Sequence, residues 1–561
     1  MSGHLRRALR AFPVCLLAAV CALPANSQTK NPAPSAPPQA ASAPDPLLAA
    51  MRDELQRSKS QLKMDDVAPP YYVEYHLWDV EQYDAAAAFG ALTQEQRAHA
   101  RSLRVVVRVG DYKQDSYGPA SAGVSLAPID DNPVALRRQL WLATDQAYKA
   151  ASEALAAKKA ALRQYTADQP FDDFAHAQVV ESIEPAAKLD FDPGTWRDAV
   201  QRATALFRTD PKIESLTALF RCRTVNHYFV NTEGTVTRDG YAVYFLAAAG
   251  TTQAADGMRL ERSPFFAAAT VKDLPAPDAF VADTAKMVQA LKDLREAPVV
   301  EEDYRGPVLF SPDAASDVIN GMVGRNVIGR RPAPGESART VGDYASNYKS
   351  RVLPAFLSIE DDPTMKRFDG KFLIGSYDTD DEGVRAEKVA VVQDGMLVNY
   401  LLGREPIRDF PESNGHGRAA PSQLATPSIG NLIVQSKQAL SPAELKQKLM
   451  DLCRQDGREF CYRVETLGAP GFEPRLLYRV YQKDGHEELV RGAVFDELDT
   501  RTLRNNLVAA GNDPLVSNRE AAIPMTVISP SILFDDLEVK KTDAKNAKMP
   551  EYPPPDLTTT H

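Results

Sequence analysis

The sequence predicts an α+β protein, with helices and strands segregated rather than strictly alternating. Three observations predict it. Leu103–Val109 sets Val105, Val107 and Val109 against Arg104, Val106 and Arg108, the two-residue period of a strand. Asn132-Pro133 opens a stretch to about Leu162 that is rich in Ala, Leu and Lys, a helix-forming composition with a natural cap and first residue. Beyond residue 300 short strand-like runs dominate, and two of them flank Asp394-Gly395, a tight-hairpin signal.

The first 27 residues are set aside before any fold argument. Arg6, Arg7 and Arg10 precede the apolar run Ala11–Leu23, and Ala25-Asn26-Ser27 is a small-x-small cleavage site. This is the layout of a secretory signal peptide, so a secreted or periplasmic chain is expected. Cys15 and Cys21 follow Val14 and Val20, where a lipobox carries a small residue. Cleavage removes three arginines and no acid, taking the net charge from −10 to −13. Residues 28–46 form a Pro/Ala-rich linker with little to bury.

An N-terminal α/β domain is expected over 47–297. Leu47, Met51, Leu55 and Leu62 fall at helical spacing, and Tyr71–Trp78 reads as a strand. Asn226–Val230 and Tyr241–Ala247 are strand-like runs around the turn Asn231-Thr232-Glu233-Gly234, and Asp283–Leu294 is an amphipathic helix. The acidic connector Pro298–Pro307 marks the boundary. In the second domain, 298–540, a helix runs from Pro312 to about Ile328 with Ser311 as its cap, and a second begins at Ser441-Pro442. Lys388–Gln393, Leu397–Leu402, Leu432–Val434, Arg475–Val480 and Met525–Ile528 read as extended. Residues 541–561, with three consecutive prolines, form a tail without core.

Over 561 residues, 44% are hydrophobic and 25% charged, which allows a packed core and excludes collagen, coiled-coil and disulfide-miniprotein classes. The acidic balance argues against broad nucleic-acid binding. After the leader no apolar run reaches spanning length, so no membrane span is expected. Cys222, Cys453 and Cys461 remain in the mature chain. Three buried thiols is the simpler reading; pairing of Cys453 with Cys461 stays open.

Candidate chemistry is sparse. No two of the eight histidines lie within ten residues of each other, so there is no zincin helix, and no C-x₂-C pair exists. A metal site would have to be assembled from distant residues, which nothing in the sequence signals. Asp378-Thr379-Asp380-Asp381-Glu382-Gly383 opens like a calcium loop, but Val389 stands where its bidentate carboxylate belongs, and a solvated acidic turn is expected. Ser60-Gln61-Leu62-Lys63 matches S-x-x-K, yet K-T-G has no counterpart except Lys541-Thr542-Asp543 in the tail. Gly415–Ala420 resembles part of a dinucleotide fingerprint without the preceding strand. Its loop, with Asn414, His416 and Arg418, reads equally as a groove-lining loop or as an ordinary surface loop.

A combination of short motifs in the second half resembles the TldD/PmbA family, also called TldD/TldE or modulator of DNA gyrase. They are Gly306–Pro312 leading into a helix, the Asp380–Gly383 turn, Asp394–Tyr400, the Asn414–Arg418 loop, Ala510–Asp513 and Ile528–Phe534, in that order. The resemblance covers about 300–540. It implies a two-domain architecture with a β-rich, barrel-like C-terminal domain, dimers, and a peptide groove enclosed between subunits. In the active TldD branch, a helix carries H-E-x-x-x-H and a late cysteine completes a zinc site. Here the matching positions hold Asn320, Gly321 and Arg325, and no cysteine follows Asn512. Two ligands, the base and the third ligand are replaced together. The TldE branch likewise lacks the motif and pairs with an active TldD-type subunit. The resemblance therefore implies a metal-free TldE-like subunit, a homodimer or a heterodimer with a TldD-type partner that alone carries zinc, with peptide as the bound substrate. The alternative is an extracytoplasmic binding or scaffold protein with no catalytic role; a third reading is an enzyme that uses the Asn414–Arg418 loop.

Overall fold

The computed structural model describes residues 45–542 except 66, 119–121, 164–170, 211, 334–335, 469–471 and 497. The expected signal peptide, the linker as far as residue 44 and the tail from 543 lie outside them. No helix among the described residues is long and apolar enough to cross a membrane.

The N-terminal half is built on four long strands: β1 (Tyr72–Ala88), β2 (Ala91–Arg108) and, after β3 (Ala122–Ala127) and β4 (Glu181–Ile183), β5 (Ile213–Asn231) and β6 (Val236–Gln253). The sheet order is β3-β2-β1-β5-β6-β4, with β7 (Arg259–Arg262) and β8 (Phe265–Ala268) on β6. Strands of 17–19 residues extend about 55–65 Å, too far for a single core. Two cores result. Helices α1 (Pro46–Gln61) and α2 (Pro133–Leu162) cover one end of the sheet around Met51, Tyr75, Val105, Leu140 and Tyr148. Helices α3 (Pro193–Thr204) and α4 (Pro277–Glu296) cover the other around Trp196, Phe220, Leu246 and Leu291. As the sequence predicts, Asn132 caps α2, its Oδ1 accepting from Val134 and Ala135 N–H at 3.1 and 3.0 Å.

The second half holds two larger open sheets. One has six strands, with Leu357–Asp361 and Asn431–Ser436 at its centre. The other has eight, including Tyr304–Phe310, Phe460–Gly468 and Ile532–Lys541. A single large core joins them. Neither sheet closes on itself among the described residues, so the implied barrel-like domain is corrected to open sheets sharing a core. The Asp394-Gly395 hairpin forms as expected, Val389–Gln393 against Met396–Leu397, with both turn residues at positive φ (51° and 77°).

Helix α5 (Pro312–Ile319) departs from expectation at both ends. Ser311 makes no cap bond; its hydroxyl instead donates to Val464 and Glu465 C=O, both at 2.9 Å, pinning the helix start to a strand. The helix does not run on to Ile328 but widens into a π-type turn at Asn320–Gly324. Helix α6 (Pro442–Gln455) begins with a full capping box between Ser441 and Glu444, and a last short helix, α7, spans Thr500–Asn506.

Cys453, in α6, is disulfide-bonded to Cys461 on the neighbouring strand, with Cα atoms 5.8 Å apart, while Cys222 is a buried free thiol. The three-thiol reading is thereby corrected: the helix–turn–strand connection returns the chain within bridging distance, which sequence spacing alone does not reveal. Reducing a loop of this length is expected to cost about 2–3 kcal/mol. Urea unfolding with and without reductant checks it, and an unchanged midpoint would contradict the prediction.

Candidate functional site

The turn at Asn320–Arg325 is the one that the resemblance sets against the family's zinc helix. Asn320 is half-buried on the π-type turn, Gly321 abuts the Phe472 ring, and Arg325 is exposed. A Cβ at Gly321 would lie 2.9 Å from Phe472 Cε1 and closer still to Cζ, so the ring fills the space that a glutamate side chain would need. Zinc needs imidazole, thiolate or carboxylate donors; this turn offers an amide, a hydrogen and a guanidinium. Nor is a thiolate at hand: Cys453 and Cys461 are bonded to each other, and burial pushes the Cys222 thiol up to about 12. The residues present do not fit the family's zinc, and no chemistry is routed through it.

A denser concentration of polar groups lies where the N-terminal sheet meets the second half. Alternation along β1 sends Val73, Tyr75 and Leu77 into the α1–α2 core, and Tyr72, Glu74, His76 and Trp78 to the opposite face. The register sets Trp78 opposite His227 of β5, and His227 opposite Asp239 of β6. Tyr72 donates its hydroxyl to Glu74 Oε2 at 2.7 Å. His76 Nε2 is 3.2 Å from Glu74 Oε1, and His76 Nδ1 is 3.0 Å from His227 Nε2. Trp78 stacks on both imidazoles, at 5.2 and 5.1 Å between ring centroids.

The acidic turn closes this chain of contacts. His227 Nδ1 faces Asp381 Oδ1 at 3.3 Å and Asp239 Oδ2 at 3.8 Å. Asp381 Oδ2 accepts from Arg418 Nε at 2.9 Å and from Ala419 N–H at 2.7 Å. Burial pushes His76 below the ordinary histidine value. Burial acts the same way on His227, but Asp239 and Asp381 outweigh it and raise its value. Burial also opposes ionisation of Glu74, yet His76, Arg108 and Tyr72 hold its carboxyl down to about 2.

Asp380, Asp381 and Glu382 are all buried, which corrects the solvated-turn expectation. Each carboxylate has an internal partner. Asp380 Oδ1 accepts from Glu382 and Val384 N–H at 3.0 and 2.8 Å, and its Oδ2 accepts from Gly417 N–H at 2.9 Å. Glu382 Oε2 accepts from Arg404 N–H at 2.7 Å, and burial pushes its carboxyl up to about 7. A Cβ at Gly417 would collide with that carboxylate, so glycine is required there.

The Asn414–Arg418 loop is equally internal. Asn414, His416 and Arg418 are 8%, 0% and 7% exposed. Asn414 Oδ1 accepts from Leu402 N–H and its amide donates to Tyr400 C=O, both at 2.8 Å. His416 Nε2 lies 3.2 Å from the fully buried Asp361 Oδ1. Arg418 sits 4.0 Å over the Tyr377 ring while holding Asp381. In the isolated chain these side chains are tied into the second half and are buried instead of lining an open groove. Ser60, the serine of the S-x-x-K match, turns its hydroxyl back to Gln56 and Arg57 C=O on α1.

Arg418 and the turn that holds Asp381 stand out in the sequence, the turn being expected to be solvated; Glu74, His76, His227 and Asp239 do not. A signal was present in Tyr72-x-Glu74-x-His76-x-Trp78, a polar and aromatic face alternating with an apolar one on a strand too hydrophobic to be solvated.

Residues 303–453 match the family model described as the PmbA/TldA metallopeptidase C-terminal domain. A metalloprotease of Archaeoglobus fulgidus is 38% identical over 86 residues, 15% of this chain and 19% of that protein's length. Over residues 303–453 the chain carries a TldD/PmbA-family domain. Two solved structures of similar fold agree. One, from Thermotoga maritima, is described as a modulator of a DNA gyrase; it has a TM-score of 0.59 at 16% identity, covering 88% of this chain and 99% of that one. TldE from Thermococcus kodakarensis has a TM-score of 0.57 at 13% identity, covering 88% and 100%. At those identities the likeness is one of fold, and it extends the TldD/PmbA architecture across both halves.

Proposed function

We propose that this chain is an exported, TldE-like subunit: it has no catalytic zinc of its own, binds peptide, and supports proteolysis by a TldD-type partner. The observation that carries the reading is the Asn320–Arg325 turn, which has neither donors nor base and is packed against Phe472. Export draws support from the leader's composition and from the Cys453–Cys461 disulfide, a bond that persists in oxidising compartments. A partner surface draws support from edge strand β3 and the helix packed on it, where Leu126 and Val134 are each 69% exposed and Ile129, Trp141 and Leu142 are also uncovered.

Purification from the native organism tests this. A subunit carrying H-E-x-x-x-H is expected to co-purify, and the mature N-terminus is expected near residue 28. Isolation of a monomer with no such subunit would overturn the partner role, and an intact Met1 would overturn export. The burial of Asn414, His416 and Arg418 favours the second reading, a scaffold without peptide; a homodimer with no peptidase subunit and no peptide retained would select it.

A further inference from the structure

The junction between the halves contains a set of groups that the TldE-like reading does not use. His76 Nε2 lies 3.2 Å from Glu74 Oε1, and His76 Nδ1 lies 3.0 Å from His227 Nε2, so that nitrogen of His227 is taken up by His76. His227 Nδ1 is left facing two carboxylate oxygens, at 3.3 and 3.8 Å, and a cation between the three satisfies them all. A proton is one such cation and a metal ion is another.

The geometry favours the metal. Neither contact of His227 Nδ1 has hydrogen-bond geometry, and both His227 Nδ1 and Asp239 Oδ2 are buried without a hydrogen-bond partner. One donor atom from each of His227, Asp239 and Asp381 lies within 4.8 Å of the other two. Two ligands at about 2.0–2.1 Å from a tetrahedral ion stand about 3.4 Å apart, close to the 3.3 Å between His227 Nδ1 and Asp381 Oδ1. The surrounding shell has the form that orients metal ligands. Glu74 and His76 hold the His227 ring from behind, and Arg418 and Ala419 N–H hold Asp381 Oδ2 so that Oδ1 is presented. The Asp239 side chain, 27% exposed, provides the approach from solvent.

We propose that His227, Asp239 and Asp381 bind one divalent transition-metal ion of the zinc class, which clips β5 and β6 to the acidic turn. The site shares no residue with the family's zinc helix, and Trp78 stacked over His227 and the burial of Asp381 make it a structural site. The proposal stands independently of any partner subunit.

The test uses the mature chain without a histidine tag, stripped with chelator and titrated with Zn²⁺ alone. One zinc per chain is expected after gel filtration, together with a rise in Tm. Asp239→Asn, on the partly exposed ligand, is expected to weaken zinc binding by about 100-fold or more and to abolish the Tm rise while keeping the circular dichroism of the wild type. His227→Gln is expected to do the same. A wild-type chain that binds no zinc would overturn the proposal and leave His227 as an imidazolium. Zinc retained undiminished by Asp239→Asn would also overturn it, by placing the ion elsewhere.

Discussion

Replacing Arg404 by methionine is expected to destabilise the chain by about 3–5 kcal/mol, a large part of the stability of an ordinary domain. Arg404 is fully buried and joins the two halves. Its guanidinium donates twice to Glu233, each bond 2.8 Å, and twice to Ala175 C=O, at 3.0 and 2.7 Å. It also lies 3.9 Å over the Phe174 ring. Methionine restores volume but leaves Glu233 and the Ala175 carbonyl facing a side chain that cannot donate. Arg404→Lys keeps the charge and loses the fork, so an intermediate cost is expected. Urea unfolding of the three proteins measures the series; a loss below about 1 kcal/mol for Arg404→Met would mean that the junction is solvated and the pair weak.

Asp115→Asn is expected to have a comparable effect, and its pH dependence identifies the cause. Arg108 lies between the rings of Tyr117 and Phe174, at 3.8 and 3.6 Å, and donates to Asp115 Oδ2 at 2.7 Å. Asp115 also accepts from Tyr71 OH and from Tyr117 N–H. Burial opposes its ionisation, but Arg108 together with the Tyr117 N–H and Tyr71 hydroxyl outweighs burial and holds the carboxyl below the usual range. A depressed folded value contributes stability that is fully present above the unfolded value of about 3.9 and is lost as the pH falls through the folded one. The variant is expected to be about 3–5 kcal/mol less stable than the wild type at neutral pH, with the gap narrowing in acid. A gap independent of pH would assign the loss to packing instead of charge.

Much of the fold was legible because its signals are local. The Asn132 cap, the helix start at Ser441-Pro442 and the Asp394-Gly395 hairpin each depend on a few adjacent residues, and each forms as the sequence predicts. Ser311 did not, because its hydroxyl meets a strand about 150 residues later in the chain. The acidic turn misled for a related reason. Three consecutive acids are solvated by default, and nothing near Asp381 in sequence announces Arg418 or His227. That Asn320, Gly321 and Arg325 stand at the family's zinc positions rests on the resemblance; by residue type they supply no zinc donor set and no base. The neighbour that closes the space, Phe472, required coordinates.

In the proposed role the chain has no catalytic zinc of its own. Hydrolysis of an unstructured peptide by the purified chain, with zinc supplied in excess, tests it most directly. The expected rate is that of the buffer control, and it stays there for Asn320→His, Gly321→Glu, Arg325→His, because the third ligand is still missing and the Phe472 ring crowds the glutamate. Zinc-dependent, chelator-sensitive turnover by the unmodified chain would contradict the account.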